Sequence, residues 1–424
     1  MPETNFILRV PRLSLIFIAA WLIPFAVVVA GLVTYNYVSA MYVPLILMPA
    51  LFAWAGIRWV CPSSVQWAWP GSYNTKYLRG SFYVLACIAI TGHYLLRLSY
   101  SQSGIDVVGG EVQELYVAVL DLQSEGSLQS GALGTIGQLL RTAQPFVLIC
   151  GVMLLYRERG MIHKLFVAAI LSGSAFFGYL ASFSRGSMMF YLACVLLTAW
   201  CMPGSRRKLI LYGGALVFTG TIFFVSSARD RILLKGIDEG VQTEALQVLF
   251  DCSGTSASDV LEEIGGPETL GLILYLTSPL AEGTHLIMAE ASPLMLGGFT
   301  FFPFVNPVKR MVGANTELRV DKLDHPNVWF TAVGELYLDF GLMTFIVFPV
   351  LAVSMFWLAI FYRAGGLWGD AHYIVTSVFF ALFPLYSVFH SFGLVYATSL
   401  VLAYFERAAR YRAWRRLAAP RTLA

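Results

Sequence analysis

Leu209–Ser227, LILYGGALVFTGTIFFVSS, runs without a charged side chain directly after the basic triplet Arg206, Arg207 and Lys208. At 1.5 Å rise per residue, about 20 apolar residues in a helix cover the ~30 Å hydrocarbon core of a bilayer. The stretch therefore reads as a membrane span, and the rest of the chain repeats the pattern. Comparable runs place spans at roughly 13–34, 41–60, 81–98, 135–156, 164–183, 187–202, 209–227, 341–362, 372–390 and 392–406.

Composition points the same way. The chain is 58% apolar and 12% charged, against roughly a quarter charged in an ordinary soluble domain. A length of 424 residues alone suggests two or three soluble domains. Here the spans extend from end to end without a long linker. The expectation is one all-α polytopic membrane domain over 1–424, with about ten transmembrane helices (range 10–12). The N-terminal Arg9 and Arg12 precede a long apolar run, Leu13–Val33, with no clear small-residue cleavage site after it. This is read as an uncleaved first span.

The net charge of +3 says little, whereas its distribution sets the topology. With the N-terminus inside, the cytoplasmic segments carry Arg58, Lys76 and Arg79; Arg157, Arg159 and Lys164; Arg206, Arg207 and Lys208; and Arg363. The tail adds Arg407, Arg410, Arg412, Arg415, Arg416 and Arg421. With Arg9 and Arg12 these make eighteen of the 28 basic residues. Lys and Arg enriched on one side fix orientation by the positive-inside rule. Both termini are then cytoplasmic, and two substantial loops lie on the opposite face.

The first loop, about 99–134, holds Asp106, Glu111, Glu114, Asp121 and Glu125 and no Lys or Arg. The second, about 228–327, contains two apolar segments, Leu270–Ala281 and Leu294–Val305, both too short to span. Such segments lie in the interface or re-enter partway. A long loop held against the membrane is seldom mere connection, and the functional site is expected there. Of the six cysteines, only Cys252 lies in a large loop, and none has metal-site spacing. Neither a disulfide framework nor a bound metal is expected.

Several arginines stand on the outer face, against the charge rule: Arg97, Arg141, Arg185, Arg229, Arg231 and, with Lys309, Arg310. Arginine at a membrane boundary is costly and faces protein or a water-filled cavity. Converging guanidiniums match the paired oxygens of a phosphate or diphosphate. The alternative is snorkelling or a local ion pair, as with Asp230 beside Arg229. A second cluster lies in Leu323–Gly341, LDHPNVWFTAVGELYLDFG. His325 and Pro326 end an irregular loop before a helical pattern opens at Asn327. Glu335 and Asp339 share a face of that helix. His325 at the helix start is a candidate general base toward a sugar hydroxyl, with Glu335 or Asp339 orienting it or taking its role. A backbone-bonded loop histidine and a structural carboxylate pair are the plainer readings. His93, His285, His372 and His390 are less distinctive, and His163 falls on the cytoplasmic face. No phosphate-cradling loop, nucleotide fingerprint or HExxH motif is present.

Five sequence features together resemble a known family. Ser184-Arg185-Gly186 closes span five, and Tyr275-Leu276 stands with Pro279. Gly298-Phe299-Thr300-Phe301 precedes the basic pair Lys309-Arg310, and TAVGELYLDFG occupies 331–341. In this layout they resemble the Wzy-type O-antigen polymerases, the oligosaccharide repeat-unit polymerases of bacterial inner membranes. The resemblance implies a GT-C-like fold whose large periplasmic loop contains short helices. It implies transfer of a growing glycan from undecaprenyl diphosphate to the non-reducing end of a new lipid-linked repeat unit. No cofactor, nucleotide or metal is implied.

In that setting Arg185, Arg229, Arg231 and Arg310 hold diphosphate. His325, Glu335 and Asp339 carry catalysis, and Tyr275, Asn327 and Tyr337 contact substrate. A proline separates His325 from Asn327, a departure from the loop histidine of the related ligases. The implied partners are undecaprenyl-diphosphate-linked oligosaccharides, membrane lipid and a polysaccharide chain-length regulator, with no nucleic acid. An O-antigen ligase, which hands glycan to lipid A core, shares the layout. A transporter or flippase is the reading from another class, although internal repeats and paired broken helices are missing.

Overall fold

The computed structural model describes residues 13–29, 43–60, 75–102, 132–158, 160–182, 185–202, 279–280, 283–284, 287, 300, 331–363, 366–385 and 388–418. These are almost entirely helical, with no strand among the described residues. The helices are α1 Leu13–Val29, α2 Val43–Val60, α3 Thr75–Gln102, α4 Ala132–Arg141, α5 Gln144–Arg157 and α6 Met161–Ser182. They continue as α7 Arg185–Cys201, α8 Ala332–Phe340, α9 Thr344–Arg363, α10 Leu367–Leu382 and α11 Val388–Ala418. Thr75–Gln102, Leu133–Arg157 and Ala332–Arg363 are each long and apolar enough to cross a membrane. Ile23, Phe52, Val84, Leu165 and Ile346 are each more than half exposed. Soluble monomers rarely present so much apolar surface, and a lipid-facing girdle accounts for it. The span 209–227 lies outside the described residues.

The helices depart from the expected spans in ways that have local causes. The run 135–156 is two helices, because Pro145 cannot donate a backbone hydrogen bond and restarts the helix at its first turn. Thr142 Oγ1 donates to the Leu139 carbonyl at 2.7 Å across the break. The run 372–390 stops at Leu382. Phe383, Pro384 and Leu385 form a turn, and the Phe383 carbonyl accepts the Ala332 N–H at 2.7 Å. Pro384 therefore ends a helix, while Pro24 and Pro349 lie inside α1 and α9. The span expected over 392–406 is the 31-residue α11. The helix expected to open at Asn327 opens at Ala332, where Thr331 Oγ1 accepts the Gly334 N–H at 3.1 Å. Gly341, with φ 54°, joins α8 to α9 in a left-handed conformation that other residues adopt at a cost.

Two groups of helices share the bundle. One comprises α3 to α7 and the other α1, α2, α9, α10 and α11, with α10 packing on α7 across the join. Aromatic rings fill that centre. Phe17 meets Phe380 edge-on at 5.2 Å, and Phe190 of α7 stacks on Phe392 of α11 at 4.1 Å. The α3–α4 contact depends on glycine. A Cβ on Gly92 would lie 2.6 Å from the Arg141 nitrogen, and one on Gly137 2.8 Å from the Leu96 nitrogen. Small residues that let backbones meet are the usual device for packing helices in lipid.

The bundle has two chemically distinct ends. At one, Cys201 at the end of α7 lies within electrostatic reach of Arg363 at the end of α9. Arg79 at the start of α3 pairs with Glu158 at 2.7 Å, and His163 lies 3.6 Å from the same carboxylate. Trp368 of α10 donates its indole N–H to the Tyr77 hydroxyl at 2.8 Å. Here α11 staples the α9–α10 turn. Glu406 accepts the Leu367 and Trp368 N–H groups at 3.1 and 2.8 Å, supplying from a distant helix the cap that Gly366 lacks. The next residue, Arg407, donates to the Phe361 carbonyl near the end of α9 and lies 3.6 Å over the Phe361 ring. Carboxylate at a helix start and guanidinium at a helix end both complement the helix dipole. The opposite end carries α8 and the start of α7.

Candidate functional site

At that opposite end, α8 presents the carboxylates singled out by the sequence. Glu335 and Asp339 are fully buried, and Tyr337 nearly so. Glu335 Oε2 accepts the Phe389 N–H at 3.3 Å, tying α8 to the first turn of α11. Asp339 Oδ2 accepts the Thr300 N–H at 2.7 Å, and the Tyr337 hydroxyl donates to the Ile287 carbonyl at 3.3 Å. Residues of the long 228–327 segment are thus drawn onto α8. Pro279 and Leu280 are also buried, and a Cβ on Gly283 would lie 2.3 Å from Ile46 of α2. The helical spacing that puts Glu335 and Asp339 on one face is realised, and both carboxylates are fixed acceptors of backbone hydrogen bonds.

A second polar group occupies the same end, on α3, α4, α5, α6 and α7. Arg141 closes α4 and lies within electrostatic reach of His93 and Tyr100 on α3 and Tyr191 on α7. The Gly92 contact brings Arg141 this close to α3. Arg97 stands one helical turn beyond His93, and its Nε is buried with no hydrogen-bond partner among the described residues. Behind them runs a buried chain: His93 Nε2 to Gln144 Oε1 at 3.4 Å, then Gln144 Nε2 donating to Ser174 Oγ at 3.2 Å. Ser174 passes the chain to the Leu171 carbonyl at 3.1 Å. Polar side chains at such depth are expensive and mark functional candidates. Gln144 and Ser174 escaped the sequence reading because a lone Gln or Ser in an apolar run carries no spacing signal.

Arg185 was expected to close span five. It opens α7 instead, after serines 182 and 184, a residue type that favours helix boundaries over interiors. Its backbone lies six residues before Tyr191, about 9 Å of helical rise, at the end occupied by Arg141. His325, Asn327, Tyr275, Arg229, Arg231 and Arg310 lie outside the described residues. Among the described residues no three His, Cys, Asp or Glu side chains come together as metal ligands. His372, set aside on sequence, lies on α10, where its Nδ1 is 2.8 Å from Ser399 Oγ.

What the arrangement can do chemically follows from its charges. Arg97 on α3 and Arg141 on α4 stand at the end of the bundle where α7 begins, and a guanidinium suits an anion with several oxygens. Glu335 and Asp339 on α8 are buried acceptors, held by the Phe389 and Thr300 N–H groups. No family model matches the chain, and neither a curated protein nor a solved structure is similar to it.

Proposed function

We propose that this chain polymerises lipid-linked oligosaccharide repeat units as a Wzy-type O-antigen polymerase, working at the periplasmic face of a multi-pass inner-membrane protein. The observation that carries the reading is the gathering of Arg97, Arg141 and the start of α7 at the end that also holds Glu335 and Asp339. An enzyme that moves glycan off a polyprenyl diphosphate needs a cationic site for the leaving group and an acceptor for the hydroxyl proton, at one membrane face.

In this reaction the acceptor hydroxyl oxygen bonds to the anomeric carbon of the growing chain. The bond from that carbon to the diphosphate oxygen breaks, and undecaprenyl diphosphate leaves with the bonding pair. Arg185, with Arg229, Arg231 and Arg310, neutralises the diphosphate charge as it develops. His325, Glu335 or Asp339 takes the hydroxyl proton. Tyr275, Asn327 and Tyr337 hold the sugar.

The test is reconstitution of purified protein with undecaprenyl-diphosphate-linked repeat units, without nucleotide and with a chelator present. A ladder of longer lipid-linked glycans supports the polymerase. Transfer only after addition of lipid A core replaces it with the ligase, and no transfer to either acceptor, with substrate verified, removes the glycosyltransferase reading.

A further inference from the structure

The buried polar chain behind Arg97 and Arg141 fixes which nitrogen of His93 carries a proton. Ser174 on α6 gives its only O–H to the Leu171 carbonyl at 3.1 Å. Its oxygen is left to accept, and Gln144 Nε2 donates to it at 3.2 Å. That orients the Gln144 amide, with Oε1 turned to His93 Nε2 at 3.4 Å. An amide oxygen only accepts, so Nε2 is the ring nitrogen that bears the hydrogen. Nδ1 of the neutral ring is then a bare acceptor. His93 is 2% exposed, and this Nδ1 is buried with no hydrogen-bond partner among the described residues.

Unspent donors stand beside it. Arg97 lies four residues on, on the same face of α3, and its Nε is likewise buried without a partner among the described residues. Arg141 of α4 lies within electrostatic reach of the His93 ring, brought there by the Gly92 contact. Neither arginine is ion-paired with a carboxylate among the described residues. A bare acceptor and two uncompensated guanidiniums are costly at this depth, and together they select a ligand. A free anion satisfies the arginines and leaves Nδ1 unpaired. A neutral glycan satisfies Nδ1 and leaves the arginines without a counter-charge. A phosphate carried on a sugar offers both groups at once, anionic oxygens and, on the adjoining ring, a hydroxyl or amide hydrogen.

We propose that His93, Arg97 and Arg141 form a glycosyl-phosphate site, in which the guanidiniums hold the phosphate oxygens and His93 Nδ1 accepts a hydrogen bond from the attached sugar. Guanidiniums take phosphate oxygens in pairs, and the bond to Nδ1 comes from a hydroxyl or acetamido N–H of that sugar. Gln144 and Ser174 are positioning residues, which hold the ring in its Nε2–H form without touching the ligand. The natural ligand rests on the polymerase reading, in which every substrate carries a sugar on undecaprenyl diphosphate. His93 then reads the first sugar of the repeat unit.

The experiment is NMR of the full chain in detergent with nitrogen-labelled histidine rings, the His93 signal assigned by its loss in His93→Phe and His93→Gln. Wild type should show a neutral ring, protonated at Nε2 and bare at Nδ1. N-acetylglucosamine 1-phosphate or galactose 1-phosphate should shift Nδ1 and bind about five-fold more tightly than methyl phosphate, the worth of one hydrogen bond. His93→Phe should bring the sugar phosphates down to the affinity of methyl phosphate, and Arg141→Gln should weaken all three. Ser174→Ala should mix the two tautomers, and Ser174→Thr, which keeps the hydroxyl, should restore the Nε2–H form. A wild-type ring protonated at Nδ1, or at both nitrogens, overturns the proposal. So does equal affinity for methyl phosphate and both sugar phosphates, a preference that survives His93→Phe, or an unmixed tautomer in Ser174→Ala. The wild-type arms stand whether or not a variant folds. No glycosyl transfer is read. An inactive polymerase with tautomer and preference intact strikes the reaction and leaves the site, whereas an active one without them strikes the site alone.

Discussion

Removing the Glu406 carboxylate tests whether α11 governs the α9–α10 turn. In Glu406→Ala the N–H groups of Leu367 and Trp368 lose acceptors at 3.1 and 2.8 Å. Each hydrogen bond to a charged group contributes about 1.5–3 kcal/mol. The ion pair with Arg410, whose side chain is 51% exposed, adds no more than about 0.5 kcal/mol after screening. Part of the loss is offset at Asp370, whose carboxyl is held well above the usual range by burial and, next, by the Glu406 charge, with Arg410 opposing. Deleting Glu406 relieves that repulsion. The net expectation is a destabilisation of about 3 kcal/mol, near the lower bound of the two hydrogen bonds. Glu406→Gln, which keeps one acceptor oxygen, should lose about half as much. Reversible unfolding of purified protein in mixed detergent, followed by circular dichroism, measures both. Arg412→Ala, an exposed site on another face, should stay within about 0.5 kcal/mol of wild type. If Glu406→Ala did the same, the trans cap would carry no weight and the reasoning would be refuted.

Asp370 also sets a pH dependence. A carboxyl whose folded pKa is raised stays protonated in the folded state after the unfolded chain has ionised. Stability is therefore full below the ordinary aspartate value of 3.8 and falls as pH rises toward the folded pKa. Asp370→Asn should remove that fall and be more stable than wild type at neutral pH, read by unfolding across a pH series. Gly92→Ala would place a methyl 2.6 Å from the Arg141 backbone nitrogen. It should force α3 and α4 apart and cost about 1–3 kcal/mol, as overpacking does; the same unfolding assay detects it, and an unchanged midpoint would deny the close contact. Arg185→Ala should abolish glycan polymerisation while the protein stays folded and inserted, whereas Arg206→Ala should leave it intact. Near-normal polymer from Arg185→Ala would take that residue out of the diphosphate site.

Helix content and charge segregation were legible because both are properties of short stretches summed along the chain. Eighteen basic residues gather in a few connections and the two terminal segments, and a periodic apolar run needs no partner to be recognised. The helical spacing of Glu335 and Asp339 was legible for the same reason. Their roles were not, because Phe389 lies 54 residues beyond Glu335 and Thr300 lies 39 before Asp339. Arg97 and Arg141 stood out singly as arginines out of place. Only the glycine contacts between α3 and α4 bring the Arg141 end of α4 against His93.

The sequence by itself determined that the chain is helical, lipid-compatible and basic at one end, since hydropathy and charge belong to each residue wherever it sits. Tertiary structure alone decided where helices stop and what caps them. A proline in an apolar helix continues, kinks or ends it according to which neighbour satisfies the freed backbone groups. At Pro384 that neighbour is Ala332, donating to the Phe383 carbonyl from a helix 51 residues earlier. At the α9–α10 turn it is the Glu406–Arg407 pair of α11, whose opposite charges face a helix start and a helix end that no local pattern could have joined to them.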